Sequence, residues 1–458
     1  MLLMGVIAGS CTQPSVGVNY EVISPYDEKV DSVLKLMTLE EKIGQMNQYT
    51  SDLQATGPSR KDSTKLEQIR KGRVGSMLNV KGASNTRRFQ EAAMESRLRI
   101  PLLFGLDVIH GMRTVYPIPL AEAASFNLEL MERTAAAAAK EAASEGIHWT
   151  FAPMVDVTRD ARWGRVMEGA GEDTWYGSRV AEARVRGFQG KSLADTATVL
   201  ACAKHFAAYG ACIGGRDYNT VDISRLTLHE VYLPPFRAAA EAGVATFMNA
   251  FNEVEGVPST GNTHLVREVL KGDWSFNGFV VSDWNSVGEM VNHGLVPDLK
   301  GAAYKGVTAG CDMDMESRAY TSHLEELVKE GTVDEAYIDD AVRRILLKKF
   351  ELGLFDDPFR YCSEQRQQKT VLSPELRQVA REAGAESIVL LKNDNGVLPL
   401  KEPEHIAVVG ALADSKEDMM GSWAIEGVRE EAITVLQGIK NRYPNSVIAY
   451  ADGYDLET

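Results

Sequence analysis

A chain of 458 residues exceeds what one hydrophobic core ordinarily serves, so two domains are expected. Its 44% hydrophobic and 25% charged residues are those of a globular protein, and a net charge of −15 without a Lys/Arg-rich run argues against nucleic acid as a partner. Five cysteines (Cys11, Cys202, Cys212, Cys311, Cys362) without ligand spacing signal neither a disulfide framework nor a metal site, and no apolar run is long enough for a membrane span.

In chain order, Met1–Ser10 is apolar and small, ends Ala8-Gly9-Ser10-Cys11, and gives way to a polar segment. Residues 1–25 therefore read as a leader before a lipid-accepting Cys11, which places the protein in the periplasm or cell envelope. The alternative is an N-terminal strand packed in the core. Thr38-Leu39-Glu40-Glu41 is a capping box opening a helix through Met46. Residues 51–62 are a polar loop.

Strands and helices then alternate. The predicted strands are Val74–Val80, Leu102–Asp107, Ile147–Phe151, Val199–Lys204, Val244–Asn249, the stretch Gly278-Phe279-Val280-Val281-Ser282-Asp283, and Cys311–Met315. That is one short of eight, and the room for the missing strand is at Gly294–Val296. Asn127 is placed to cap an Ala-rich helix to Gly146. Thr227-Leu228-His229-Glu230 reads as another capping box, stapled by Leu226 and Val231. The spacing predicts an α/β protein with a (β/α)8 TIM-like barrel over 26–353. An open doubly wound sheet would carry a Gly-rich phosphate turn after its first strand, and none is present.

Thr332-Val333-Asp334-Glu335 caps a helix to Gly353, residues 354–372 read as a polar linker, and Ser373-Pro374 starts a further helix. Ile388–Lys392, Ile406–Gly410 and Val447–Tyr450, with a helix over Ile433–Arg442, predict an incomplete α/β sandwich domain over 373–458. A C-terminal truncation with an unpaired strand edge is the expectation.

The strand ends carry the chemistry. Asp107, Arg165 on the loop after Phe151, Lys204-His205, Asn249 and Asp283-Trp284 all belong at one mouth of the barrel. Carboxylates and cations there can bracket ring hydroxyls with charge-assisted bonds, while Trp284 covers the apolar face of a sugar. Each residue alone has a plainer reading. Asp283 could cap the following helix together with Asn285-Ser286. His205 could be a satisfied core histidine. Asp107 and His110 could pair with Arg159, Arg162 or Arg165, and Trp284 could be packing.

Together, Gly105-Leu106-Asp107-Val108-Ile109-His110-Gly111, Arg159-Asp160-Ala161-Arg162-Trp163-Gly164-Arg165, Lys204-His205-Phe206, Gly278–Trp284, Ala309–Met315, Glu351–Phe355 and Gly421-Ser422-Trp423 resemble glycoside hydrolase family 3 in its β-glucosidase-like branch. The resemblance implies a barrel followed by an α/β sandwich, with a sugar site between them and no cofactor. It implies that Asp283 is the catalytic nucleophile of a retaining exo-β-glycosidase acting on terminal β-D-glucosyl residues of oligosaccharides. Asp107, Arg165, Lys204 and His205 would hold the sugar's hydroxyls, and Met248 and Trp284 would line the site. Two departures stand out. Phe251 occupies a position where many members carry Tyr, and the family's acid/base Glu is expected beyond Thr458. The loop Gly210–Tyr218 lacks the Asp-Ser-His motif of the related β-N-acetylglucosaminidases, which argues against that branch. Without the acid/base, a sugar-binding fragment that does not turn over is the competing expectation. A barrel isomerase or aldolase is a third, and it lacks a phosphate site or an isolated strand-end lysine.

Overall fold

The computed structural model describes residues 24–51 and 63–454. Cys11 and the leader expectation lie outside the described residues. Eight short parallel strands form the core: β1 (Asn47–Thr50), β2 (Ser76–Leu78), β3 (Leu103–Leu106), β4 (Trp149–Thr150), β5 (Cys202–Phe206), β6 (Thr246–Asn249), β7 (Phe279–Val281) and β8 (Asp314–Met315). They pair in the order β8-β1-β2-β3-β4 and β5-β6-β7. Single parallel bridges, Trp149 to Leu200, Met154 to Lys204 and Val281 to Met313, close the two gaps. The result is a closed (β/α)8 barrel with no free edge.

The missing eighth strand is therefore the first, β1, and not a seventh at Gly294–Val296, which is a turn between the helices Ser286–Asn292 and Leu299–Ala309. The strand went unseen because it reads Asn-Gln-Tyr-Thr. Its polar side chains are buried and hydrogen-bonded to the adjoining segment: the Gln48 amide donates to Ser76 Oγ at 2.7 Å, and Thr50 Oγ1 accepts from the Asn79 amide at 3.2 Å. Around it the interior is tightly packed. Trp149 donates its indole N–H to Thr246 Oγ1 at 2.8 Å and meets Phe151 and Phe279 edge-on. Gly105 on β3 makes room for this cluster, since a Cβ there would lie 2.7 Å from the Phe151 ring.

Local signals on the helices hold with one exception. Thr38 forms the full capping box, Asn127 caps Leu128–Ser144, Asp334 caps Glu335–Glu351, and Ser373 caps Pro374–Glu386. The box at Thr227 does not form. Ser224, three residues earlier, takes the Thr227 N–H at 3.1 Å and starts the helix there, leaving Leu226 exposed. The polar stretch after Gly353 is also more ordered than a linker. Glu364–Thr370 is a helix, and Gln367 accepts the Ala83 N–H of the barrel at 3.0 Å.

After Pro374–Glu386 the chain forms two parallel strands, β9 (His405–Val409) and β10 (Val447–Ala451), with the helix Val435–Arg442 between them. Ile388–Lys392, predicted as a strand, has no ladder partner; a β-branched run becomes a strand only where a neighbouring backbone takes its N–H and C=O groups. Leu391 is 91% exposed there. Among the described residues, no helix is long and apolar enough to cross a membrane.

Candidate active site

Asp283 follows β7 directly, at the C-terminal mouth of the barrel. It does not cap the next helix: its Oδ1 accepts only the neighbouring Trp284 N–H, at 2.6 Å, and Asn285 turns the chain with φ +57° and no side-chain cap. The carboxylate is thus left to face a cavity of about 590 Å³. Asp107, Arg165, Lys204, Met248 and Trp284 line that same cavity. Six of the eight residues predicted at this mouth therefore converge. Asn249 is fully buried on β6 and does not line the cavity, and His205 lies behind the wall, fully buried, with both ring nitrogens engaged.

The charges at this mouth are matched in pairs. Lys204 Nζ lies 3.0 Å from Asp107 Oδ1 and 3.8 Å from Glu168 Oε2. The Arg165 guanidinium donates to Glu168 through Nε at 2.7 Å and Nη2 at 3.2 Å. Glu168 is the hub of this set. Burial works to raise its pKa, but Arg165 and Lys204 overcome that and hold it below the usual carboxylate value. The alternative partners weighed for Asp107 and His110 do not occur. Asp107 takes Lys204, Arg162 takes Asp160, and His110 contacts the Tyr116 and Ser422 carbonyl oxygens at 2.8 and 2.6 Å.

Asp283 is the carboxylate that the set leaves without a direct cation. Burial pushes it up to about 6, against the opposing pull of Arg165 and Lys204. His205 Nε2 is 3.6 Å from Asp283 Oδ2, too far for a hydrogen bond. Burial, with Arg165 and Lys204 nearby, holds His205 well below its ordinary value, so the ring is neutral and this pair is no ion pair. An ionisable oxygen poised at the edge of a wet cavity, among hydrogen-bonding groups already fixed by one another, is equipped for nucleophilic attack.

Tyr218, Glu289 and Trp423 also belong to the walls. Tyr218, whose ring packs at a tilt against Phe251 with centroids 4.4 Å apart, stands on a loop pinned by Asp217, which accepts the buried Trp163 indole N–H at 2.8 Å. Glu289, one turn into the following helix, lines the cavity, and burial followed by the Asp283 charge raises its pKa. Trp423 comes from the C-terminal region and sits with its ring centroid 5.6 Å from Lys204 Nζ. The His110–Ser422 contact pins this turn to the barrel. The Gly421-Ser422-Trp423 motif signalled Trp423; Glu168 stands three residues after Arg165, the spacing of their ion pair, whereas Asp156 meets His205 from far along the chain.

Comparison with known proteins gives a consistent picture. Residues 38–347 match the glycosyl hydrolase family 3 N terminal domain and residues 388–455 the family's C-terminal domain. A periplasmic beta-glucosidase of Salmonella typhimurium is 42% identical over 99% of this chain and 60% of its own length. A beta-xylosidase of Formosa agariphila is 32% identical over 100% of this chain and 61% of its own. The crystal structure of a beta-glucosidase from Listeria innocua, solved with isofagomine, superposes with a TM-score of 0.88 at 41% identity, covering 94% of this chain and 60% of that one. A mutant of the same enzyme was solved with laminaribiose. The chain thus spans about 60% of the length of these relatives.

Proposed function

The chain belongs to glycosyl hydrolase family 3, and from that premise we propose that the protein is a retaining exo-β-glucosidase whose nucleophile is Asp283. The observation that carries this reading is the placement of Asp283 in a cavity with Asp107, Arg165, Lys204, Met248 and Trp284. Asp283 attacks the anomeric carbon of a terminal β-D-glucosyl residue as the bond to the leaving oxygen breaks. A glycosyl ester forms, water attacks the same carbon, and β-glucose leaves with Asp283 restored as a carboxylate. Asp107 and the Lys204 and Arg165 cations hold the ring hydroxyls, and Trp284 packs on the ring face.

The leaving oxygen needs a proton, and Glu168 does not supply it: Arg165 and Lys204 keep it ionised. No acid/base is assigned among the described residues. That gap favours a second reading, in which these 458 residues bind β-glucosides without turning them over. The periplasmic relative supports an envelope location.

Laminaribiose and p-nitrophenyl β-glucoside, incubated with the complete gene product and followed by proton NMR, test the proposal. Release of glucose first as the β anomer is expected. Release as the α anomer, or no release from either substrate, overturns it.

A further inference from the structure

Behind the cavity wall, the groups around His205 have one consistent assignment of protons. Arg165 Nη2 lies 2.9 Å from His205 Nε2. A guanidinium has only donors to offer, so Nε2 must present its lone pair. The neutral ring then carries its hydrogen on Nδ1, which faces Asp156 Oδ2 at 2.9 Å. The same oxygen accepts the His205 backbone N–H, also at 2.9 Å. Asp156 and His205 are both buried, and neither lines the cavity.

We propose that Asp156 is a positioning residue of the sugar site, which acts through His205 on Arg165. By accepting the ring N–H and the backbone N–H on one oxygen, Asp156 fixes both the tautomer and the tilt of the imidazole. The exposed lone pair of Nε2 then takes one Nη2 hydrogen of Arg165, and Glu168 takes the other together with Nε–H. Three of five guanidinium hydrogens are thereby held, and the plane of Arg165 is set where it borders the cavity. His205 serves the sugar at one remove, as the acceptor that aims a cation, and Asp156 is the group that makes it an acceptor. The arrangement needs no change of charge, since Oδ2 accepts both hydrogens whether or not the carboxyl carries a proton.

The inference rests on the functional reading only for its sugar arm. The chain labelled with 15N-histidine is examined by long-range proton–nitrogen spectra at pH 7, with His205 identified by its loss in His205→Gln. The expected spectrum has Nδ1 protonated and Nε2 bare. In Asp156→Leu the ring is expected to change to the Nε2–H form or a mixture, and glucose affinity to fall about 10-fold with the loss of an aimed charged donor. Asp156→Asn, which keeps an oxygen acceptor, is expected to restore the tautomer and bring the affinity to within about threefold of the parent. An Nε2–H or doubly protonated His205 in the parent overturns the proposal, even if Asp156→Leu does not fold. So does a leucine variant with an unchanged spectrum or unchanged glucose affinity. A parent that shows the Nδ1–H tautomer yet binds no glucose or β-glucoside refutes the glucosidase reading and leaves the tautomer assignment standing.

Discussion

The barrel and the region after Pro374 are both parallel α/β structure, yet they satisfy their sheets in opposite ways. In the barrel every strand has two neighbours, and residues of β1 through β8 are buried throughout. In β9 and β10 each strand pairs only with the other, and Val409 and Val447 are 67% and 60% exposed. Parallel sheets are ordinarily covered on both faces. The barrel is thus self-sufficient as a scaffold, whereas the C-terminal region holds its place by its contacts with the barrel: the His110–Ser422 contact, the Glu426 N–H bond to Met112 O, and the pairs of Lys140 with Glu375 and Arg133 with Glu382. Position at the site follows the same division. The barrel supplies the paired charges, and the second region reaches the cavity through Trp423.

The sharpest way to break this contrast is hydrogen exchange. Amides of β3, β5 and β7 should exchange roughly 100-fold or more slowly than those of β9 and β10, because local opening exposes a two-stranded pair at far lower cost. Equal protection would show that the second sheet is as well supported as the first. Next in size, Glu168→Gln should lower stability by about 3 kcal/mol, read by urea unfolding, because it leaves Arg165 and Lys204 short of a buried counter-charge. A change below about 1 kcal/mol would mean that the charge set is not energetically coupled.

Trp423→Ala probes the other side of the comparison. It should weaken glucoside binding about fivefold, as for loss of one aromatic contact, with little change in barrel unfolding. A large loss of barrel stability would make Trp423 part of the scaffold. A further prediction concerns Asp283 itself. Its folded pKa of about 6 lies above the ordinary carboxylate value, so folding disfavours its ionised form. Stability is therefore lost as pH rises from the unfolded value near 4 through about 6. Asp283→Asn should raise the melting temperature at pH 7 by roughly 2–5 °C and by less at pH 4. An equal gain at both pH values would place the strain elsewhere than in the charge.

Much of this was legible in the sequence because barrels announce themselves locally. Short apolar runs that end on Asp107, Lys204 and Asp283 carry both the strand and the functional group in one stretch. Part of what escaped depends on distant partners. β1 is polar because Gln48 and Thr50 hydrogen-bond to Ser76 and Asn79 beside them, so no hydrophobic pattern marks it. Ile388–Lys392 has the composition of a strand without a ladder to join. Ser224 outcompetes Thr227 as a cap, a choice between two good local signals. Asp156 gains its role from His205, far along the chain, and Glu168 from Lys204 as well as from Arg165 three residues before it. His205, read as a sugar ligand from its place beside Lys204, is instead held behind the wall between Asp156 and Arg165.

The central claim is that Asp283 is the nucleophile, and a fluorosugar trap tests it most directly. A 2-deoxy-2-fluoro-β-glucoside with a dinitrophenolate leaving group needs no proton donor, so the 458-residue chain can be used. Mass spectrometry of a protease digest should show one fluoroglucosyl adduct on the peptide bearing Asp283. Its rate of formation should fall with acid on a limb near pH 6, where the carboxylate becomes protonated. Labelling of another carboxylate, or undiminished labelling of Asp283→Asn, would contradict the account.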